Sequence, residues 1–382
     1  MTRSLTAVLL LLAASACSTP AAPRSDPAAS PSVSVTPGTP TTLPAPTGEH
    51  AVGTSVLYLK DTSRPDPWNL DVSVRELKVT LWYPTRQKGG QRAPYMTAKE
   101  SELLLKGGRI AGVPYDVLSK TRTNAVRDAE PEGRKLPLVV LSPGFTKPVS
   151  TLTSLAEELA SRGYLVAGID HPYESYATTL ADGTVAECLA CDSDRDPGFG
   201  PRVTQIRSAD VSFVLDSLGK WPVDRARIAM VGQSIGGASA VAAMVTDSRI
   251  RAAINMDGTT YARIPKGGFT KPVMFMGSPG HVPGGGDASW DRDWKLLTGW
   301  KRWIMLTGSE HASFTDTPLM AATLGVKPVY GVLTGARGSE LTRTYVAAFL
   351  DQHLKSQRQP LLGKPSSRYP EVTFCPATCG QS

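Results

Sequence analysis

The sequence predicts an α/β fold with a mostly parallel central sheet and helices on both faces, and three observations predict it. Short apolar, β-branched runs recur between helical patterns, as at residues 136–141, 227–231 and 250–256. These runs are continuous rather than alternating, as strands buried on both faces are. The helical pattern of Leu152, Leu155, Ala156 and Leu159 stops at Gly163 and leads directly into the next apolar run.

In chain order, residues 1–17 read as an export signal: Arg3 supplies positive charge and residues 5–16 form an apolar stretch too short to span a bilayer. The run Ala13-Ala14-Ser15-Ala16-Cys17 resembles a bacterial lipobox, with Ala14 where Leu is commonest. Cys17 is therefore expected to be the lipidated first residue of a mature, membrane-tethered chain, ordinary signal-peptidase cleavage and secretion being the alternative. Residues 18–48, almost wholly Pro, Ala, Ser and Thr, bury too little apolar surface to offset their ordering entropy. They are expected to form a disordered spacer reaching from ~30 Å as a coil to ~95 Å as polyproline II.

The folded domain is expected over 49–382. Residues 55–60 and 76–83 read as an opening pair of strands. An insert follows at 86–135, helical near 101–105. The strand 136–141 leads through Ser142-Pro143-Gly144 to a helix with a capping box from Ser154 to Glu157, then to a strand at 164–169. A second insert, 171–201, leaves that strand's carboxyl end, where α/β folds bind ligands. Either insert reads as a lid, a pocket wall or surface decoration. Val203, Ile206, Phe213 and Val214 mark a helix, 227–231 a strand and 238–243 a small-residue helix. Strands at 250–256, 272–276 and 303–306 complete the parallel set, and a helix at 339–353 closes the domain.

Composition narrows the partners. With 41% hydrophobic and 20% charged residues the chain is an ordinary globular protein, and no interior apolar run is long enough for a membrane span. The net charge of +7 comes from scattered Lys and Arg, with no dense run of the kind that binds nucleic acid. It suits contact with anionic surfaces, or simply a solvated basic surface.

The chemistry centres on Gly232-Gln233-Ser234-Ile235-Gly236-Gly237, where an apolar strand runs into a small-x-Ser-x-small turn and a small-residue helix. This is the setting of a nucleophile elbow, in which small neighbours let strand and helix approach while the turn holds the Ser234 hydroxyl above the sheet. A serine hydroxyl needs a base within reach. Of five histidines, His50 adjoins the spacer, His171 follows an earlier strand, His281 sits among prolines and glycines, and His353 lies in the closing helix. His311 follows the last parallel strand, where the base of an α/β-hydrolase belongs. The oxyanion requires backbone N–H donors, expected from Ile235 after the nucleophile and from Phe145 after the third strand. For the acid, Asp257 ends its own strand 257 − 234 = 23 residues after the nucleophile, room for one helix and one strand. The alternatives are Asp287 or Asp291, reached from the following strand.

Over roughly 76–354 these residues resemble the α/β-hydrolase branch of the platelet-activating-factor acetylhydrolases and bacterial polyester-degrading cutinases. Ser142-Pro143-Gly144-Phe145-Thr146, the helix ending Ala160-Ser161-Arg162-Gly163-Tyr164, and the Ser234 turn are similar to both. The strand ending Asn255-Met256-Asp257-Gly258 looks more like the acetylhydrolases, which place their acid there. The tail from Cys375 to Cys379 is loosely similar to the cutinase C-terminus, and Gln233 stands where many relatives have His. The resemblance implies an α/β-hydrolase fold and metal- and cofactor-free hydrolysis of carboxylic esters, with short or oxidised acyl chains on phospholipids as candidates. A polyester or cutin hydrolase is the enzymatic alternative, and a non-catalytic, surface-anchored binding lipoprotein the other. Beyond Cys17, the even set Cys188, Cys191, Cys375 and Cys379 in an exported chain points to disulfides. Pairing within each couple is preferred, with all three connectivities and a four-cysteine zinc site open.

Overall fold

The computed structural model describes residues 40–326, 331–375 and 379; the expected export signal, Cys17 and most of the expected spacer lie outside them. The first half of the chain forms β1 (Ala51–Asp61), β2 (Arg75–Thr85), α1 (Ala98–Gly107), β3 (Val126–Arg127), β4 (Leu136–Ser142), α2 (Thr153–Ser161), β5 (Leu165–Asp170), β6 (Thr178–Thr179) and β7 (Val185–Ala186). The second half forms α3 (Phe199–Ser217), β8 (Val223–Gln233), α4 (Ile235–Thr246), β9 (Ile250–Met256), β10 (Val273–Gly277), α5 (Ala288–Leu296), β11 (Lys301–Leu306), α6 (Thr317–Thr323), α7 (Gly335–Leu354) and β12 (Val372–Cys375).

Ten strands form one sheet in the order β12-β11-β10-β9-β8-β4-β5-β2-β1-β3. From β5 to β11 every neighbour pair is parallel, while β1, β2 and β12 join antiparallel. This is the expected α/β architecture. Within the central strands, side chains alternate between two cores. Val139, Leu141, Val231 and Ile254 pack beneath α2 and α7, whereas Leu138, Val140, Met230 and Phe275 pack beneath α3, α4 and α5. Burial on both faces is why the strands read as unbroken apolar runs.

Several local expectations are corrected. Ser154 caps nothing: α2 begins at Thr153, and both the Ser154 amide and hydroxyl bond to Asp316, while Glu157 accepts the amides of Asn124 and Ala125 at 2.8 Å each. Capping boxes form instead at Thr97 and Glu100, at the start of α1, and at Glu310 and Ser313, at the short 3-10 turn that His311 opens. The spacer does not extend to residue 48. Leu43 is 2% exposed, Thr47 and Gly48 bond to Glu158 and Ser161 of α2, and residues 40–48 therefore belong to the folded body. No helix among the described residues is long and apolar enough to cross a membrane.

Candidate active site

Ser234 stands alone between the end of β8 and the start of α4, with φ 57° and ψ −127°. A non-glycine residue in this region is strained, and the surrounding backbone holds it there. The Ser234 amide donates to Met256 O at 2.8 Å, across from β9. Gly236 must lack a side chain because a Cβ there would lie 2.1 Å from Ser142 O, so the elbow and the loop after β4 touch backbone to backbone. On the same loop, the Cβ position of Gly144 is 3.4 Å from Ser234 Cβ. The amides of Phe145 and Ile235, the expected oxyanion donors, are taken by no acceptor among the described residues.

The other two expected residues converge on this turn. Asp257, at φ 57°, leaves the end of β9, and His311 opens a short 3-10 turn beyond β11. His311 Nδ1 lies 2.7 Å from Asp257 Oδ2. Gln233, next to Ser234, donates from Nε2 to His311 O at 2.9 Å and so ties the histidine loop to the elbow. The rival carboxylates go elsewhere: Asp287 accepts from Ser289 N at the head of α5 and faces His281, and Asp291 accepts from Gly284 N. His311 is more than half exposed, and no hydrogen bond joins it to Ser234 Oγ among the described residues.

Sequence reasoning set His281 aside, and the structure puts it at the centre. The two Asp257 oxygens are shared unequally: Oδ1 accepts from Ser278 N at 2.7 Å and faces His281 Nδ1 at 2.9 Å, leaving Oδ2 to His311. Burial pushes the Asp257 carboxyl up, but its hydrogen bonds from His281 and His311 outweigh burial and hold it well below the usual carboxylate range. A histidine amid Pro and Gly has no periodicity to distinguish it from a surface loop, so only the fold reveals this contact.

A second Ser-His-Asp arrangement lies beside the first. Ser142 Oγ is 3.1 Å from His171 Nε2, and His171 Nδ1 is 2.7 Å from Asp210 Oδ2. All three are buried, and Arg207 Nη1 also donates to Ser142 Oγ at 3.0 Å. Burial lowers the His171 imidazole's proton affinity and nearby Arg207 lowers it further, outweighing Asp210. Sealed from substrate, this array serves as scaffold. Arg207 bonds Pro143 O and Glu174, while Arg75 bonds Asp66 and Asp210, which pins the loop before Phe145 to α3 and β2.

The insert 171–201 adjoins the site. Thr146 N donates to Glu174 O at 2.9 Å, and the Phe145 ring meets Phe199 edge-on at 4.9 Å, with Trp68 5.9 Å beyond. The insert 86–135 instead closes over β1 and β2, where a cavity of about 480 Å³ is lined by Lys78, Trp82, Tyr95 and Glu100 and by none of Ser234, Asp257 or His311. The cysteines pair locally, Cys188 with Cys191 and Cys375 with Cys379, which uses the four thiols a zinc site would need.

Comparison with known proteins gives the family and its esterase relatives. The family model for platelet-activating factor acetylhydrolase, isoform II, matches residues 36–189 and 198–361. The chain is 29% identical over 366 residues, 87% of its length and 93% of the other's, to a probable 1-alkyl-2-acetylglycerophosphocholine esterase of Arthroderma benhamiae. It is 24% identical over 350 residues to the platelet-activating factor acetylhydrolase of Bos taurus, covering 73% of this chain and 72% of that one. Among solved structures it is similar to a ferulic acid esterase from Streptomyces cinnamoneus, with TM-score 0.81 and 42% identity over 88% of this chain and 100% of that one.

Proposed function

Because the chain belongs to the platelet-activating factor acetylhydrolase isoform II family, with esterases as its matched relatives, we propose that it hydrolyses carboxylic esters through an acyl-enzyme on Ser234. The contact of His311 with Asp257 beside the strained Ser234 turn carries this reading. In this mechanism His311 Nε2 takes the Ser234 proton as Oγ attacks the ester carbonyl, in a contact that tightens when substrate docks. The amides of Phe145 and Ile235 hold the resulting oxyanion. Collapse breaks the bond to the alcohol, which leaves with the proton from His311. Water, deprotonated by His311, then attacks the acyl-enzyme; the acyl–Oγ bond breaks, the carboxylic acid leaves and Ser234 takes the proton back from His311. Asp257 keeps Nδ1 protonated and stabilises the imidazolium.

Short-acyl phospholipid esters are the substrates this reading favours, in line with the acetylglycerophosphocholine esterase relative. A second reading, an aromatic acyl group, is favoured by the rings of Phe145, Phe199 and Trp68 beside the site and by likeness to the ferulic acid esterase. We also infer export and a lipid anchor on Cys17, supported by the composition of residues 1–17. A fluorophosphonate probe is expected to label the parent and not Ser234→Ala; equal labelling of both refutes the nucleophile. Specificity constants on a 2-acetyl glycerophosphocholine, methyl ferulate and p-nitrophenyl esters of rising chain length decide between the two acyl classes.

A further inference from the structure

His281 sits between two carboxylates. Its Nδ1 is 2.9 Å from Asp257 Oδ1 and its Nε2 is 3.1 Å from Asp287 Oδ2. Ionised carboxylates only accept hydrogen bonds, and a neutral imidazole has one donor, so both contacts are satisfied only when both ring nitrogens carry protons. The surroundings favour that cation. The ring lies 4.6 Å from the Trp290 indole, whose face attracts positive charge, and Trp303 Nε1 donates to His281 O at 3.0 Å and fixes the backbone. The charged and titratable groups facing it are Asp257 from the end of β9 and Asp287 from the head of α5. Around Asp287 stand Tyr261 and Arg292, and His311 faces the far oxygen of Asp257. Burial lowers the His281 proton affinity, but Asp257 and Asp287 together raise it above the ordinary histidine value.

We propose that His281, held between Asp257 and Asp287, is a positioning residue that fixes the Asp257 carboxylate and draws off part of its charge, so that ester hydrolysis extends into mildly acidic solution. This rests on the assignment of His311 as the base. The sign follows from electrostatics: a carboxylate already neutralised on one oxygen stabilises a second imidazolium on the other oxygen less well. The Ser278 amide and His281 on Oδ1 keep Oδ2 aimed at His311.

The test is the pH dependence of kcat/KM for the full chain on a soluble ester, with His281→Gln beside the parent and His311→Ala. In His281→Gln the acid limb is expected to move up by about one pH unit, with the plateau lowered less than about tenfold. A purely structural role would lower the plateau and leave the limb in place, and that result overturns the proposal. Nitrogen-15 shifts of the parent's His281 ring at neutral pH give an independent reading: imidazolium values support the proposal and a neutral tautomer refutes it, even if the variant fails to fold. If His311→Ala retains parental turnover, the base assignment and this inference fall together. If it is inactive and the His281→Gln limb is unmoved, only the inference falls.

Discussion

Two carboxylates within one loop system carry different work, and the difference is set by which imidazole each reaches. Asp257 contacts both His281 and His311, whereas Asp287 contacts His281 alone. Asp257→Asn is therefore expected to lower turnover by about 10³- to 10⁴-fold, because the amide favours the wrong His311 tautomer, with the circular dichroism spectrum preserved. Ser142→Ala, in the sealed array, is expected to keep full fluorophosphonate labelling and to lose stability instead. Labelling lost in Ser142→Ala would transfer the nucleophile to the buried site. Ser234 and His311 were legible because a strand-turn-helix pattern and a place after the last parallel strand are local signals. The roles of His281, Arg207 and Asp210 were not, since each depends on at least one partner far along the chain, 24 residues away for His281, 65 for Arg207 and 146 for Asp210.

At the scale of elements, α3 does more than cover the sheet. Its Arg207 and Asp210 turn inward, one to the loop before Phe145 and the other to His171 and Arg75, so this helix sets the backbone that presents the proposed oxyanion donor. Arg207→Met strips Glu174 of its close ion pair, leaving it Arg75 at 4.0 Å and the Trp68 indole, and leaves Pro143 O without its donor. It is expected to cost about 3–5 kcal/mol in chemical denaturation. In the folded variant kcat should fall at least tenfold with KM little changed, since the lost interaction is realised in the transition state. A variant with parental kcat would separate α3 from the oxyanion loop. The sequence showed α3 only through Val203, Ile206, Phe213 and Val214. β12 was missed for another reason: four residues after a Pro-rich stretch carry no periodicity, and the strand exists only because β11 offers it an edge.

For the whole molecule, the folded body already includes residues that composition assigned to the spacer. A Pro- and Thr-rich stretch reads as spacer, yet Leu43 is buried and Thr47 reaches Glu158, so contacts rather than composition end the segment. A chain starting at residue 40 is expected to melt like the full one, whereas a chain starting at residue 49 loses the Leu43 burial and is expected to melt about 5 °C lower. Equal melting of the two would return residues 40–48 to the spacer. At the opposite end, β12 pairs antiparallel with β11, from Trp303 with Cys375 to Leu306 with Val372. Proteolytic trimming that removed this strand would leave β11 with a bare row of amide and carbonyl groups, a ready template for another chain. Clipped molecules would then announce themselves first by sticking edge to edge, so a preparation that slowly aggregates on storage is one whose C-terminus should be sequenced.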